Sequence, residues 1–254
     1  MNVTVIGLGY IGLPTAALIA SKRIRVIGVD INKNIVETVN KGKAHFLEKD
    51  LHKLVKNAVK DNNLIAKAKP VVSDVFIIAV PTPLDRNNEP DISYVISASK
   101  SISKIIKNGD LIILESTSPV GTTEIILKML KLERPDLNFP SSKENKKIDD
   151  QVSISYCPER VLPGNTISEL IKNNRVIGGI TTNCALKAKK FYKLFVEGEC
   201  EVTDTKTAEL SKLVENAYRD VNIAFANELS LICDNMNLNV WNLIDFANKH
   251  PRVS

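Results

Sequence analysis

The feature that most constrains the fold is a glycine-rich turn near the N-terminus. A short β-branched run at residues 3–6 leads directly into the pattern GxGxxG, formed by Gly7, Gly9 and Gly12. Small and apolar residues continue from residue 13 to residue 20 and predict a helix packed on a sheet. Strand, glycine turn and helix in this order are typical of the first unit of a dinucleotide-binding α/β fold.

An acidic residue strengthens this interpretation. A second β-branched run, residues 24–29, ends at Asp30, where a carboxylate can accept hydrogen bonds from the ribose hydroxyls of a dinucleotide. A carboxylate would repel a 2′-phosphate, so NAD is favoured over NADP. The alternative for Asp30 is a helix N-cap after the strand, and the two roles are compatible. Gly7 permits the tight turn, Gly9 lets backbone amides approach the pyrophosphate, and Gly12 brings the helix close to the strand.

Further buried strands are predicted at residues 75–80, 111–114, 152–156 and 175–179, with helices at about 94–107 and 183–195. Polar or small residues follow these strands, including Thr82 in a Pro-Thr-Pro turn and Thr117 in ESTSPVGTT. Ligands of open α/β sheets bind at the carboxyl ends of the strands, so Thr82 either contacts the cofactor or is a plain turn residue. We therefore predict an α/β fold: a Rossmann-like, doubly wound, mostly parallel sheet over residues 1–198.

A long-helix, all-α region is predicted for residues 199–254. From Glu199 to His250 the sequence contains neither Gly nor Pro, which favours helix throughout. Within it Lys212, Asn216 and Arg219 fall at i, i+4 and i+7 and share one face. These three side chains either face solvent or bind an anionic ligand through the two cations, Lys212 and Arg219.

Composition excludes several classes of function. The formal net charge of +5 comes from scattered lysines, and aromatic residues make up only 5%, so a nucleic-acid surface is not expected. The four cysteines and three histidines have no metal-ligand spacing. The chain shows no signal peptide and no apolar run long enough to span a membrane. The sequence predicts a soluble cytoplasmic protein without a bound metal.

Seven motifs in order resemble the UDP-glucose/GDP-mannose dehydrogenase family across essentially the whole chain. They are VIGLGYIGLPTA, PTP, ESTSPVGTT, YCPERVLPGN, RVIGG, AELSKLVENAYRDVNIAFANELS and ANKHPRV. The resemblance is strongest to the branch that acts on UDP-N-acetyl-D-mannosamine.

The resemblance implies a four-electron oxidation of C6 of a nucleotide-bound sugar by NAD, through an aldehyde and a cysteine thioester. It implies an NAD site that includes Tyr10, Ile11, Asp30, Thr82 and Thr117 in addition to the glycine turn. It implies that the UDP-sugar is contacted by Arg160, Val161, Lys212, Asn216, Arg219, His250 and Arg252. Lys212 would exchange a proton and hold the developing oxyanion, Asn216 would donate to the same oxygen, and Glu159 would position substrate or the hydrolytic water. A structural salt bridge is the alternative for Glu159.

The sequence departs from the family's pattern at two places. Family members that act on UDP-glucose have a second acid four residues after the position of Glu159, where this chain has Pro163, which favours an N-acetylated hexosamine. The family's catalytic cysteine follows HPRV in a glycine-rich loop before a UDP-binding domain, whereas this sequence ends at Ser254. None of Cys157, Cys184, Cys200 and Cys233 matches that motif, so the chain is expected to be an N-terminal portion without the nucleophile.

Three functions therefore remain open. The first is a UDP-sugar dehydrogenase whose expected substrate is UDP-N-acetyl-D-mannosamine and whose product is used in surface polysaccharide synthesis. This enzyme is expected to form a homodimer through the long helix. The second is a non-catalytic module that binds NAD and dimerises. The third is a β-hydroxyacid dehydrogenase, which shares the IGLG start and a Lys-x-x-x-Asn pair on a helix but lacks PERVLPG and HPRV.

Overall fold

The structure, a computed structural model, describes residues 1–141 and 150–251. Its strands are β1 (Asn2–Ile6), β2 (Arg25–Val29), β3 (Leu64–Lys67), β4 (Val75–Ile78), β5 (Leu111–Leu114), β6 (Ser153–Tyr156), β7 (Arg175–Gly179) and β8 (Cys200–Asp204). Its helices are α1 (Gly12–Ser21), α2 (Lys33–Asn40), α3 (Leu51–Lys60), α4 (Ser93–Ser103), α5 (Thr122–Glu133), α6 (Thr166–Lys172), α7 (Thr182–Tyr192), α8 (Thr205–Asn235) and α9 (Val240–Ala247).

The strands form one sheet in the order β3-β2-β1-β4-β5-β6-β7-β8. Every neighbouring pair is parallel except β6 and β7. Strand order reverses beside β1, so the carboxyl ends of β1 and β4 border the crevice where open α/β sheets bind ligands. The predicted α/β class, with a mostly parallel Rossmann-like sheet followed by a long helix, is confirmed.

Two hydrophobic clusters cover the two faces of the sheet. One joins α1, α3, α6 and α7 to the strands, with Leu13, Val55 and Phe191 among its buried members. The other joins α4 and α5 to the opposite face through residues such as Ile102 and Ile126. The central strands β4 and β5 are buried at every position, which explains their continuous apolar sequence.

The structure corrects the prediction of helix from Glu199 onward at two places. Residues Cys200–Asp204 form β8, which pairs in parallel with β7 along five residues. Sheet pairing therefore decides the structure here, although the segment contains no helix-breaking Gly or Pro. The helical region is also interrupted before α9 without Gly or Pro. Asn237 adopts a left-handed conformation with φ 56°, and the Asn239 side chain caps α9 by accepting from the amides of Trp241 and Asn242.

The chain divides into two compact units, Met1–Leu210 and Ser211–Ser254. The first contains the sheet with α1 to α7 and the beginning of α8. The second contains the remainder of α8, and α9. The boundary predicted between a cofactor domain of residues 1–198 and a helical region of residues 199–254 remains a prediction.

A buried carboxylate at the beginning of α8 caps α5. Gly121, the N-cap residue of α5, has no side chain to serve the helix amides. Glu209, which is 0% exposed, accepts hydrogen bonds instead from the Gly121 amide at 2.6 Å, the Thr123 amide at 2.8 Å and the Thr123 hydroxyl at 2.7 Å. A carboxylate at the positive end of a helix is favourable, so this contact stabilises the first unit.

Replacing Glu209 should therefore destabilise the protein. We expect Glu209→Ala to lower the free energy of unfolding by about 2 kcal/mol or more, because it leaves buried amide donors without an acceptor. Lys206→Ala on the same helix is the matched control, since the Lys206–Glu124 ion pair is exposed and should contribute less than about 0.5 kcal/mol. Equal losses for the two variants in urea unfolding would contradict the capping role.

Candidate functional site

The glycine turn after β1 leaves no room for side chains at two of its glycines. Gly7 has φ 91°, and a Cβ there would lie 2.4 Å from the Ala79 carbonyl oxygen. A Cβ on Gly12 would lie 1.8 Å from the Gly7 carbonyl oxygen. A Cβ on Gly9 would meet nothing within 4 Å, so the turn faces open space at its middle glycine. Backbone at this point can be approached closely by a ligand.

The N-terminus of α1 is suited to an anion. Its first turn has no acidic residue, and the N-cap residue Ile11 makes no side-chain capping bond. The helix therefore presents its positive end to the open side of the turn without a carboxylate to neutralise it. Phosphate groups are the ligands that such a turn typically binds.

Asp30 stands beside the turn, at the end of β2. Its carboxylate accepts from the Leu8 amide at 3.0 Å and from the Asn32 amide at 2.8 Å, which fixes it next to the glycines. The alternative role as helix cap is wrong: the N-cap of α2 is Asn32, whose side chain accepts from the Asn34 amide. Asp30 is half-buried, and its oxygens face the same turn as the open glycine.

The loops after β4 and β5 bring two predicted residues together. The Thr82 hydroxyl donates to the Thr117 carbonyl oxygen at 2.5 Å, and the Ser116 hydroxyl donates to the Val80 carbonyl oxygen at 2.7 Å. These bonds hold the two loops side by side at the carboxyl edge of the sheet. The contact of Thr82 and Thr117 with a cofactor remains a prediction.

The segment after β6 contains the predicted residues Glu159, Arg160 and Val161. The Glu159 carboxylate accepts from the Val161 amide at 3.0 Å, and the Asn173 side chain donates to the Arg160 carbonyl at 2.6 Å. The Arg160 guanidinium donates to the Asn174 carbonyl at 3.3 Å. The segment is thus held to the start of β7, with all three side chains only partly buried.

The second unit contains the remaining predicted residues. Lys212, Asn216 and Arg219 share a face of α8, as predicted, and the Arg219 guanidinium donates to the Asn216 side-chain oxygen at 3.4 Å. Lys212 is 4% exposed, whereas Arg219 is exposed. His250 is exposed just after α9, and Arg252 lies outside the described residues.

Sequence reasoning missed a buried cluster under the rim of the sheet, made of Glu115, Cys157, Arg175 and Tyr192. The Tyr192 hydroxyl donates to the Glu115 carboxylate at 2.7 Å, and an Arg175 nitrogen lies 4.0 Å from the same oxygen. The Arg175 guanidinium is also 5.0 Å from the centre of the Tyr192 ring. None of the four is more than 2% exposed. A charged residue at the end of an apolar strand is the signal that could have indicated the cluster. Glu115 directly follows β5, and Arg175 is the first residue of β7.

Burial is the strongest influence on the pKa values of Glu115 and Cys157 in this cluster. It raises the pKa of Glu115, while the Arg175 charge acts in the opposite direction. Burial also raises the pKa of the Cys157 thiol to about 11, again against the effect of Arg175. Cys184, Cys200 and Cys233 are likewise buried. A buried thiol with a raised pKa is a poor nucleophile near neutral pH, so Cys157 is not suited to nucleophilic catalysis. That none of the four cysteines has the family's catalytic role remains a prediction.

No helix in the described ranges is long and apolar enough to cross a membrane.

Comparison with known families matches nearly the entire chain. Residues 1–196 match the NAD binding domain of the UDP-glucose/GDP-mannose dehydrogenase family, and residues 206–254 match the central domain of the same family. Both parts of the chain therefore point to a single family.

Individual relatives agree with this match. The chain is 57% identical over 253 residues to a UDP-N-acetyl-D-mannosamine dehydrogenase of Yersinia pestis, covering 100% of this chain and 60% of that protein. It is 52% identical to an NDP-N-acetyl-D-galactosaminuronic acid dehydrogenase of Ralstonia nicotianae, covering 59% of that protein. Among solved structures, a UDP-D-ManNAc dehydrogenase from Pyrococcus horikoshii superimposes with a TM-score of 0.92 at 38% identity, over 100% of this chain and 59% of that one. The chain thus spans about three fifths of the length of these relatives.

The raised pKa of Cys157 predicts resistance to alkylation. With a pKa of about 11, roughly one thiol in a thousand is ionised at pH 8, and burial hinders access to it further. We expect iodoacetamide at pH 8 to leave Cys157 unmodified in the native protein and to modify it readily in guanidinium chloride, with mass spectrometry of tryptic peptides as the measurement. Native modification of Cys157 as fast as in the unfolded chain would contradict the assignment of this thiol as inert.

Proposed function

The chain belongs to the UDP-glucose/GDP-mannose dehydrogenase family, and we propose that it serves NAD-dependent oxidation of C6 of a UDP-sugar to the uronate. The observation that supports this best is the glycine turn with Asp30 beside it. The turn has open space at Gly9, an uncapped helix N-terminus and an anchored carboxylate, and these features fit the pyrophosphate and ribose of NAD. When bound, NAD supplies the acceptor for the hydride that leaves the sugar.

The first unit would hold the cofactor through residues at the carboxyl edge of its sheet. Backbone amides of the turn would bind phosphate oxygens, and Asp30 would accept from ribose hydroxyls. The proposed NAD contacts are Gly7, Gly9, Tyr10, Ile11, Gly12, Asp30, Thr82 and Thr117. The paired loops that present Thr82 and Thr117 would exclude water from one side of the site.

The proposed substrate contacts are those that the family resemblance implies. They are Arg160, Val161, Lys212, Asn216, Arg219, His250 and Arg252. The Lys212 ammonium would stabilise negative charge that develops on the C6 oxygen and exchange a proton there, and the Asn216 amide would donate to the same oxygen. Glu159 would position the substrate or the hydrolytic water.

The sugar we propose is an N-acetylated hexosamine, with UDP-N-acetyl-D-mannosamine giving UDP-N-acetyl-D-mannosaminuronate. The Yersinia and Ralstonia relatives are both named for N-acetylated sugars. Pro163 in place of a second acid supports the same conclusion. The matches to both family domains favour this function over a β-hydroxyacid dehydrogenase.

We also propose a homodimer formed through the long helix. Tyr218, Val221 and Phe225 fall at i, i+3 and i+7 on α8 and are 73%, 67% and 63% exposed in the single chain. An apolar stripe of this kind is expected to be covered by a partner helix. A non-catalytic module that binds NAD and dimerises is the alternative, and formation of NADH from the UDP-sugar would exclude it.

Loss of the Asp30 carboxylate should weaken NAD binding. We expect Asp30→Ala to raise the Kd for NAD about tenfold or more in calorimetric titration, because charged hydrogen bonds to the ribose are lost. Asp61→Ala is the matched control, since Asp61 is an exposed acid at the end of α3 and should leave the Kd unchanged. Identical Kd values for all three proteins would contradict the ribose assignment.

The choice of sugar can be tested by thermal protection. With NAD at saturation, we expect UDP-N-acetyl-D-mannosamine to raise the Tm more than UDP-glucose does at the same concentration, because only a ligand that binds the native state stabilises it. Arg219→Ala should reduce this protection, whereas Lys206→Ala on the same helix should not. Equal protection by the two sugars would contradict the proposed specificity.

A further inference from the structure

The Glu48 carboxylate links three segments that are far apart in the chain. It lies in the connection between α2 and α3 and accepts from the Tyr10 hydroxyl at 2.6 Å, the Gly164 amide at 3.0 Å and the Thr166 amide at 3.0 Å. The Tyr10 and Thr166 hydroxyls are also hydrogen-bonded to each other at 2.9 Å. We call these four residues the Glu48 network.

The network joins the glycine turn to the segment after β6. Tyr10 directly follows Gly9 in the turn, and Gly164 and Thr166 end the segment that contains Glu159, Arg160 and Val161. Tyr10 and Thr166 are 156 positions apart in the chain, so this contact is a product of the tertiary fold.

Packing supports two members of the network, Tyr10 and Thr166. The Tyr10 ring packs against the Phe46 ring, with centroids 5.3 Å apart, and Thr166 is 0% exposed. Burial raises the pKa of Glu48, but the hydrogen bonds from Tyr10, Gly164 and Thr166 outweigh it and bring the pKa below its ordinary value. Burial and the bond to Glu48 raise the pKa of Tyr10, so its hydroxyl keeps the proton that it donates.

We propose that Glu48 is a positioning residue that couples occupancy of the glycine turn to the ordering of residues 157–166. This inference rests on the proposed function, in which the turn holds NAD and the segment contacts the UDP-sugar. A dinucleotide on the turn restrains the backbone of Tyr10. The restrained hydroxyl holds the Glu48 carboxylate, and the carboxylate holds the amides of Gly164 and Thr166. Linkage is reciprocal, so an ordered segment must in turn favour NAD on the turn.

Hydrogen–deuterium exchange on the 254-residue chain tests the coupling without requiring turnover. In the wild type, we expect NAD to slow exchange both in peptides covering residues 5–13 and in peptides covering residues 157–166. In Tyr10→Phe, which removes only the hydroxyl, NAD should still protect residues 5–13 but no longer residues 157–166. Tyr94→Phe, an exposed tyrosine on α4, is the matched control and should behave as the wild type.

A double-mutant cycle on the Kd for NAD gives a second readout. We expect Tyr10→Phe and Glu48→Gln each to weaken binding by about fivefold, and the double variant to be no weaker than the worse single variant, because both remove one shared coupling. Glu37→Gln on α2 is the control for loss of an exposed acid. Should Glu48→Gln fail to fold, the exchange result for Tyr10→Phe still decides the question.

The outcomes separate the two proposals. If NAD protects neither region in the wild type, the proposed NAD site is overturned and the coupling with it. If NAD protects residues 5–13 alone in the wild type, or protects residues 157–166 equally in Tyr10→Phe, the coupling is overturned and the NAD site stands. Additive effects in the double-mutant cycle also overturn the coupling.

Discussion

A steric constraint at the end of β1 determines the arrangement of the first unit. A Cβ on Gly12 would lie 1.8 Å from the Gly7 carbonyl oxygen, so α1 can begin only where no side chain is present. The same close approach lets the Gly7 amide donate to the Val29 carbonyl at 2.8 Å and the Leu8 amide to the Asp30 carboxylate at 3.0 Å. These two hydrogen bonds hold the ends of β1 and β2 together, so the turn lies beside the acid that we assign to NAD. The absence of side chains at Gly7 and Gly12 thus determines the geometry of the proposed cofactor site.

Most strands and helices of the first unit can be predicted from the sequence because each is specified by residues that are adjacent in the chain. A β-branched run followed by GxGxxG specifies β1, the turn and α1 within about the first twenty residues. The apolar runs at β4 and β5 specify strands that are buried on both faces. The carboxyl edge of a parallel sheet then collects Thr82, Thr117 and Glu159 by topology alone. The patterns fail where pairing decides the structure. β8 forms because β7 lies beside it, and α8 ends because Asn237 turns left-handed, and neither event leaves a Gly or Pro in the sequence.

The polar contacts that organise the site were not predictable, for a physical reason. Glu115 and Tyr192 are 77 positions apart, and Glu48 and Gly164 are 116 apart, so no spacing rule connects them. Their energies depend on burial and on exact partners, which exist only after the sheet has formed. Charges beside apolar strands, as at Glu115 and Arg175, indicate that a partner must exist but do not identify it. Sequence patterns therefore predict where the candidate site lies, and the polar contacts around it become visible only in the folded structure.

The cap that Glu209 places on α5 has a consequence for the order of assembly. Its donors, Gly121 and Thr123, precede it by 88 and 86 positions, and the carboxylate reaches them only when β5 and α5 are in place. Before that, the Glu209 carboxylate is in water and the capping contact contributes nothing to stability. The stability that Glu209 contributes thus depends on structure formed far earlier in the chain. The capping contact can therefore form only after β5 and α5 have folded, which places it late in the folding of the first unit.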